Sequence, residues 1–229
     1  MEINLLTYNI HKGLSFFTRQ NIVPEINNII DSTNAEIVFL QEVQNFHHKQ
    51  WKKLFLHQLE DLSIKHRASY GPNFFSKKSH HGNAILSIHQ VLEEKNFNLS
   101  INRLERRGLL YNKLLINQQV IHSYCTHLNL LNNHRQQQLE KILFLLNQHG
   151  NDPVILAGDF NDFKRNIHDY LLKNNFYSLT VPTFPAISPL FAIDNIYVKN
   201  LKIIEAQAVY NTKTALSSDH LPLLVKIKI

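Results

Sequence analysis

Cysteine occurs once in the 229 residues, at Cys125, which excludes an internal disulfide. Its setting in the strand-like VIHSYCTHL suits a small buried hydrophobe better than a reactive thiol. No apolar run approaches the roughly 20 residues that span a bilayer. The first residues also lack the basic and then apolar pattern of a secretory signal. A soluble, cytoplasmic protein is the expectation. Glycine is scarce, at six residues, and GxxxxGK[ST], GxGxxG and GxSxG do not occur. A Gly-rich nucleotide cradle and a serine-nucleophile elbow are therefore not indicated. HExxH and cysteine clusters are missing too, so a zinc site finds no support. There is no internal repeat, low-complexity tract or Gly/Ser/Pro-rich linker, and one domain over residues 1–229 is the economical reading.

What is present describes a globular chain. Hydrophobic residues make up 44% and charged residues 18%, enough apolar matter for a sizeable core and too little charge for a disordered tail or a coiled coil. The net charge of +6 is spread along the sequence and raises the prospect of an anionic partner: nucleic acid, a lipid headgroup or a phosphorylated metabolite.

Nine short apolar runs read as buried strands: INLLTYNI, EIVFLQEV, NAILSI, LLYNKLLI, QVIHSYCTHL, PVILAGDF, AIDNIYV, KIIEAQAVY and LPLLVKIKI. Two helices are marked by apolar spacing. One carries Val23, Ile26, Ile29 and Ile30 behind Pro24, and the other Leu139, Ile142, Leu143 and Leu146. A third, weaker pattern covers residues 47–59, and residues 168–175 suggest a short fourth helix. The stretches 72–83 and 180–189 read as loops from their Pro, Gly, Ser and Asn content. Strands outnumber helices and do not alternate with them as in a doubly wound sheet. The pattern fits two mixed sheets packed together, with helices outside.

Polar residues recur where these runs end. Asn9 and then His11 follow LLTY, Glu42 ends IVFLQ, and His127 and Asn129 close SYCT. Asp159 and Asn161 end VILAG; Asp194 opens a strand, and Asp219 and His220 stand before the last one. Strand ends of a central sheet converge, and ligand sites collect there. Each residue also has a plainer reading. Asn9 and Asp219 suit turns, Asp159 and Asn161 suit a helix cap near residue 163, and His127 and His220 suit satisfied structural histidines. The recurrence favours a site, and Glu42 is the hardest to dismiss, because a strand rarely buries an unpaired carboxylate. Carboxylate and amide oxygens are hard ligands that suit Mg²⁺, Mn²⁺ or Ca²⁺, and with imidazoles nearby they fit metal-assisted attack of water on a phosphate ester.

In this order, LLTYNIHKG, FLQEV, GNAILS, THLNL, LAGDFND, IDNIYV and SSDHLPL resemble the endonuclease/exonuclease/phosphatase superfamily. This group includes deoxyribonucleases, repair exonucleases, sphingomyelinases and inositol polyphosphate phosphatases. The resemblance covers essentially the whole chain and looks nearest to a small uncharacterised bacterial branch. It implies a four-layer α/β/β/α sandwich of the deoxyribonuclease I type, with the site at one edge of both sheets. It also implies Mg²⁺, replaceable by Mn²⁺, held by Glu42 with Asn9 and Asp219 close by. Asp159 would align or deprotonate the attacking water, and Asn161 would hold that water or a phosphate oxygen. His220, oriented by Asp194, and His127 would donate to the phosphate. Asn129, His11, Lys12 and Arg107 would face the substrate, His11 standing where the superfamily often has an acidic residue. The implied activity is phosphodiester hydrolysis by a monomer, on nucleic acid in the first instance and on phospholipid headgroups or small phosphorylated metabolites as the alternative. A silent binding module is the weakest reading, since every catalytic position is filled by a competent residue.

Overall fold

A computed structural model describes residues 1–46, 58–62 and 65–229. Two mixed sheets pack face to face. The first has six strands: β1 (Glu2–Asn9), β2 (Ile37–Phe46), β3 (Arg67–Phe75), β4 (Ser79–Ser87), β10 (Lys202–Ala208) and β11 (Leu223–Lys228). Their order is β10-β11-β1-β2-β4-β3. The second, in the order β5-β6-β7-β8-β9, holds β5 (Gln90–Asn98), β6 (Gly108–Ile116), β7 (Gln119–His127), β8 (Val154–Asp159) and β9 (Asp194–Lys199). Each sheet has one parallel pair, β1 with β2 and β7 with β8. A parallel pair needs a crossover, and helices supply both. They are α1 (Val23–Thr33) in the first sheet and α3 (Asn132–Leu146) in the second. Three shorter α-helices, α2 (Gln58–Leu62), α4 (Asn166–Lys173) and α5 (Thr212–Ser217), and two 3-10 turns, His11–Gly13 and Asn147–His149, complete the described elements.

Strand alternation builds the layers. On β2, Ile37 and Phe39 face the other sheet, while Val38 and Leu40 face α1. On β8, Ile155 and Ala157 face inward, while Val154 and Leu156 pack with the apolar stripe of α3. The result is three apolar clusters, one between the sheets and one under each helical layer, which makes the four-layer sandwich. The predicted stripes are the buried ones: Val23, Ile26, Ile29 and Ile30 on α1, and Leu139, Ile142, Leu143 and Leu146 on α3. Cys125 is fully buried between the sheets, and burial pushes its thiol up to about 12, so it is an inert core residue. Among the described residues, no helix is long and apolar enough to cross a membrane.

Two expectations change, and a third falls largely outside the described residues. Strands β3 and β5 are additional to the nine read from the sequence. Residues 72–83, read as a loop, instead form much of the β3–β4 hairpin, in which Phe75 pairs with His80. The helix expected over 47–59 lies outside the described residues except at its end, where α2 begins.

Gly158 is the residue that lets β8 pass close to β7. Its φ is +145°, and an added Cβ would stand 1.9 Å from the carbonyl oxygen of Thr126. Backbone cannot yield as a flexible side chain can. Gly158→Ala is therefore expected to destabilise the protein by about 3 kcal/mol, read as a lower urea midpoint at unchanged m-value.

Candidate active site

The polar residues sit one row beyond the inter-sheet core. Asp159 pairs in register with His127 on β7 and with Asp194 on β9, so three adjacent strands end in polar residues on the same inward face. Asn9 ends the inward row of β1, after Ile3, Leu5 and Thr7. Glu42 reaches this face by a different device. The β2–β4 register slips between Leu40 and Val43, and Glu42 adopts φ +59°. The bulge absorbs one residue, so Gln41 still faces Cys125 and Thr7 while Val43 turns out towards α1. Glu42 is thereby held near His127, with Oε1 to Nδ1 at 4.0 Å. A side chain in the left-handed region is a local strain of the sort that gathers at functional sites.

Asp159 is the hub. Its Oδ2 accepts from Asn9 Nδ2 at 3.1 Å and lies 3.4 Å from His127 Nε2 and 3.8 Å from His220 Nε2. Its Oδ1 accepts from the backbone N–H of Asn161 at 2.9 Å. Asn161, at φ +50°, sends its own Nδ2 to the Leu128 carbonyl at 3.0 Å. His220 Nδ1 donates to Asp194 Oδ2 at 2.8 Å, and Thr183 Oγ1 donates to the same oxygen at 2.6 Å. Asp162 takes the capping role that Asp159 and Asn161 had shared with catalysis in the sequence reading. Its carboxylate accepts from the backbone N–H groups of Asn166, Ile167 and His168 at the start of α4.

The two histidines are driven in opposite directions. Burial opposes charge on His220, but Asp194, Asp159 and Asp219 outweigh it and push its pKa up to about 10. Burial and the Arg107 charge hold His127 well below the ordinary imidazole value. One imidazole is therefore charged and the other neutral at pH 7. Asp159 is raised, chiefly by burial. Asp219 is lowered: burial opposes this, and the hydrogen bond from His11 and the His220 charge prevail.

Asn9, Glu42, His127, Asp159, Asn161, Asp194, Asp219 and His220 thus meet at one end of both sheets. The expected substrate-side residues divide. Lys12 and Arg107 are close enough for their charges to lower His127. Arg107 is also braced by Glu105 at 2.8 Å. His11 is not free for substrate: Arg19 Nη1 donates to its Nε2 at 2.7 Å, and its Nδ1 faces Asp219 Oδ1 at 3.4 Å. It orients the carboxylate. Asn129 is likewise corrected. It is fully buried, donating to Glu105 Oε2 at 2.7 Å and accepting from Gln138 Nε2 at 2.5 Å, so its polar ends serve the loop 99–107 and α3. Sequence reading missed Thr183, placed in a loop, and Ser218, whose hydroxyl donates to the Asn9 carbonyl at 2.8 Å. It also missed His81, which lies in the electrostatic reach of Glu42, Lys12 and Arg107. No spacing marks any of the three.

Among the described residues, ligand atoms of Asp159, Asp194 and His220 lie within 4.8 Å of one another. All three are buried, and His220 Nδ1 is already spent on Asp194. That bonding suits a proton-holding pair better than a Mg²⁺ shell, which prefers oxygens and retained water. The oxygen set of Glu42, Asn9 and Asp219 fits Mg²⁺ better. Glu42 and Asp219 are part-exposed, with side chains 21% and 25% accessible, and Asn9 Oδ1 uses one lone pair, on the His11 N–H.

Residues 6–220 match the sequence profile of the Endonuclease/Exonuclease/phosphatase family. The chain belongs to this family. Members are hydrolases of phosphoric esters, and this chain shares that class of chemistry. The uncharacterised protein YbhP of Escherichia coli K12 is 32% identical over 245 residues, covering 100% of this chain and 97% of YbhP. The mannosyl-6-phosphatase Bt3783 of Bacteroides thetaiotaomicron has the same fold at a TM-score of 0.77 and 18% identity, over 99% of this chain and 100% of that one. Danio rerio TDP2, solved with a single-strand DNA product, aligns at 0.74 and 14% identity, over 100% and 99%. At such identity the family's fold is shared and the substrate is not implied.

Asp194→Asn removes the main charge holding the His220 proton. The His220 pKa is expected to fall by about 1–3 units, read by NMR titration of its ring protons in metal-free protein. The sign for stability follows. A pKa raised on folding stabilises fully below the unfolded value near 6.5, and this contribution is lost as pH climbs towards 10. The variant should show a shallower loss of stability over that window.

Proposed function

We propose that the chain, as one domain, hydrolyses phosphodiesters with the help of Mg²⁺, which Mn²⁺ can replace. The reading is carried by Asp159, a buried carboxylate of raised pKa set between a neutral imidazole and a charged one. A base is most useful when its pKa lies near the working pH, and burial moves Asp159 that way. Asp159 orients a water and takes its proton as the water oxygen bonds to phosphorus. The P–O bond to the leaving alcohol breaks, and the alkoxide takes a proton from solvent. His220, kept charged by Asp194, and His127 donate hydrogen bonds to phosphoryl oxygens as charge builds, and Asn161 holds the water or an oxygen beside them. Glu42, Asn9 and Asp219 would hold the metal. When bound, it offsets phosphate charge and polarises the phosphoryl group. Lys12 and Arg107 add positive charge on the substrate side, while His11 keeps Asp219 in place.

Nucleic acid is the substrate suggested by the charge of +6, which any polyanion would satisfy. A cytoplasmic monomer is part of the same proposal. A second substrate class, a lipid-like phosphoester, is favoured by an apolar cavity beside His220.

Asp159→Asn and His220→Ala are each expected to lower kcat on bis-p-nitrophenyl phosphate by about 10²–10⁴, with far-UV circular dichroism unchanged. EDTA should abolish turnover and added Mg²⁺ or Mn²⁺ restore it. Wild-type protein inert with every divalent ion, or Asp159→Asn as fast as wild type, would sink the reading.

A further inference from the structure

An apolar cavity of about 360 Å³ opens directly beside the candidate site. Its walls are the turn bearing Phe16 and Phe17 on one side and Phe184 to Ser188 on the other, with Ser218 and Asp219 between them. Its accessible lining is wholly apolar. Both walls lean on site imidazoles. The Phe184 ring lies 5.0 Å from that of His220, and the Phe16 ring meets that of His11 edge-on at 5.6 Å. Asp219 belongs to both places. The cavity is thus a lateral extension of the phosphate centre rather than a separate groove.

Its aromatic walls are costly as they stand. Phe16, Phe17 and Ile187 are 43%, 52% and 56% exposed, and Leu190, beside Phe184, is 71% exposed. Such a concentration of exposed apolar side chains next to a polar centre marks a binding surface. A nucleobase is a poor occupant. It needs polar partners for its edges and parallel faces to sandwich its ring, whereas the accessible lining is apolar and Phe16 and Phe17 stand at 90° to each other. A hydrocarbon chain needs neither. The anionic phosphate would sit at His127 and His220, near Lys12 and Arg107, and the chain attached to it would run past Asp219 into the cavity.

We infer that this cavity takes the aliphatic chain of the substrate, which makes the substrate class an amphiphilic, lipid-type phosphoester. The inference rests on the phosphoesterase reading above and adds to it the half of the substrate that does not react. The hydrolytic step is the one already written, with water adding to phosphorus and the P–O bond to the leaving alcohol breaking.

The test is a series of p-nitrophenyl alkyl phosphates, methyl to octyl, in which the leaving group is constant and the retained chain lengthens. With Mg²⁺, kcat/KM should rise by about threefold to fourfold per added methylene until the cavity is full. Ile187→Asp and Phe17→Ala change exposed positions outside the reacting centre. Each should flatten this rise while leaving the methyl ester rate unchanged. A flat series in wild type overturns the cavity assignment and leaves the hydrolase reading intact. So does cleavage of thymidine 5′-(p-nitrophenyl phosphate), run beside the series, tenfold faster than the octyl ester, an outcome that would return nucleic acid to first place. If no ester in the series is cleaved, the hydrolase reading fails, and calorimetry with octyl phosphate against methyl phosphate decides the cavity separately. Tighter binding of octyl phosphate, lost in Ile187→Asp, supports it; equal binding removes it.

Discussion

Two hydrogen bonds that cross from one sheet to the other hold this molecule's chemistry in place. His220 precedes β11 in the first sheet, and its Nδ1 meets Asp194 at the start of β9 in the second. Asn9 ends β1 in the first sheet, and its Nδ2 meets Asp159 at the end of β8 in the second. Further in, the sheets are joined chiefly by apolar packing, with a few buried polar bridges such as Asn112 Nδ2 to Ser69 Oγ at 2.9 Å and Asn83 Nδ2 to the Gly108 carbonyl at 3.1 Å. The crossing bonds are directional, with donors and acceptors about 3 Å apart, so they fix the lateral position. They work because both carboxylates are buried, Asp159 at 1% and Asp194 at 0% exposure. An unpaired carboxylate there would be expensive, and that cost commits the sheets to the register in which partners meet.

The same burial sorts the protonation states. Asp194 accepts from Thr183 and His220, and its charge is the largest of those that raise this imidazole. His127 has only the more distant Glu42 and a share of Asp159, and it faces the cations Arg107 and Lys12. Two histidines at the same end of the two sheets thus diverge without any difference in intrinsic chemistry. Asp159 stands between them, raised by burial and lowered by the charged His220 and the donors Asn161 and Asn9. The balance leaves it nearer neutrality than an exposed aspartate, and this is what the geometry adds to a mere cluster of polar residues.

Much of this was legible because an inward-facing strand needs apolar residues up to the last row. A polar residue at the end of VILAG or SYCT is then conspicuous, and such residues at either end of the runs are what marked eight positions as candidates. The edges were less legible. Strand β5, QVLEEKNFN, is a sheet edge with charged and mostly exposed residues, and β3 carries Gly71 and Pro72, both of which read as loop. His81 was hidden with them. Asn129 was misjudged for a different reason. It follows His127 by two residues, but β7 has ended there, and the chain turns the amide into the Glu105–Gln138 network. His11 lies in a tight turn at φ +46°, and nothing in its spacing shows that Arg19 would occupy its Nε2.

The residues gathered at this end of the sheets divide between strands and loops. Asn9, Glu42, His127, Asp159 and Asp194 are fixed by strand register or by a bulge in it, and moving any of them would disturb both sheets. Phe16, Phe17, Phe184 and Ile187 stand on connections whose backbone is tied mainly to itself, as in Ser15 to Gln20 and Phe184 to Phe191. Such segments can change length and composition without moving a strand. On the proposed function, a phosphate centre built on the first set can therefore serve different substrates by replacing the second. In this chain the second set places carbon against His11, His220 and Asp219. An ion-binding centre gains nothing for its own reaction from apolar walls open to solvent. Their presence is explained if the group joined to the phosphate is itself one that water excludes.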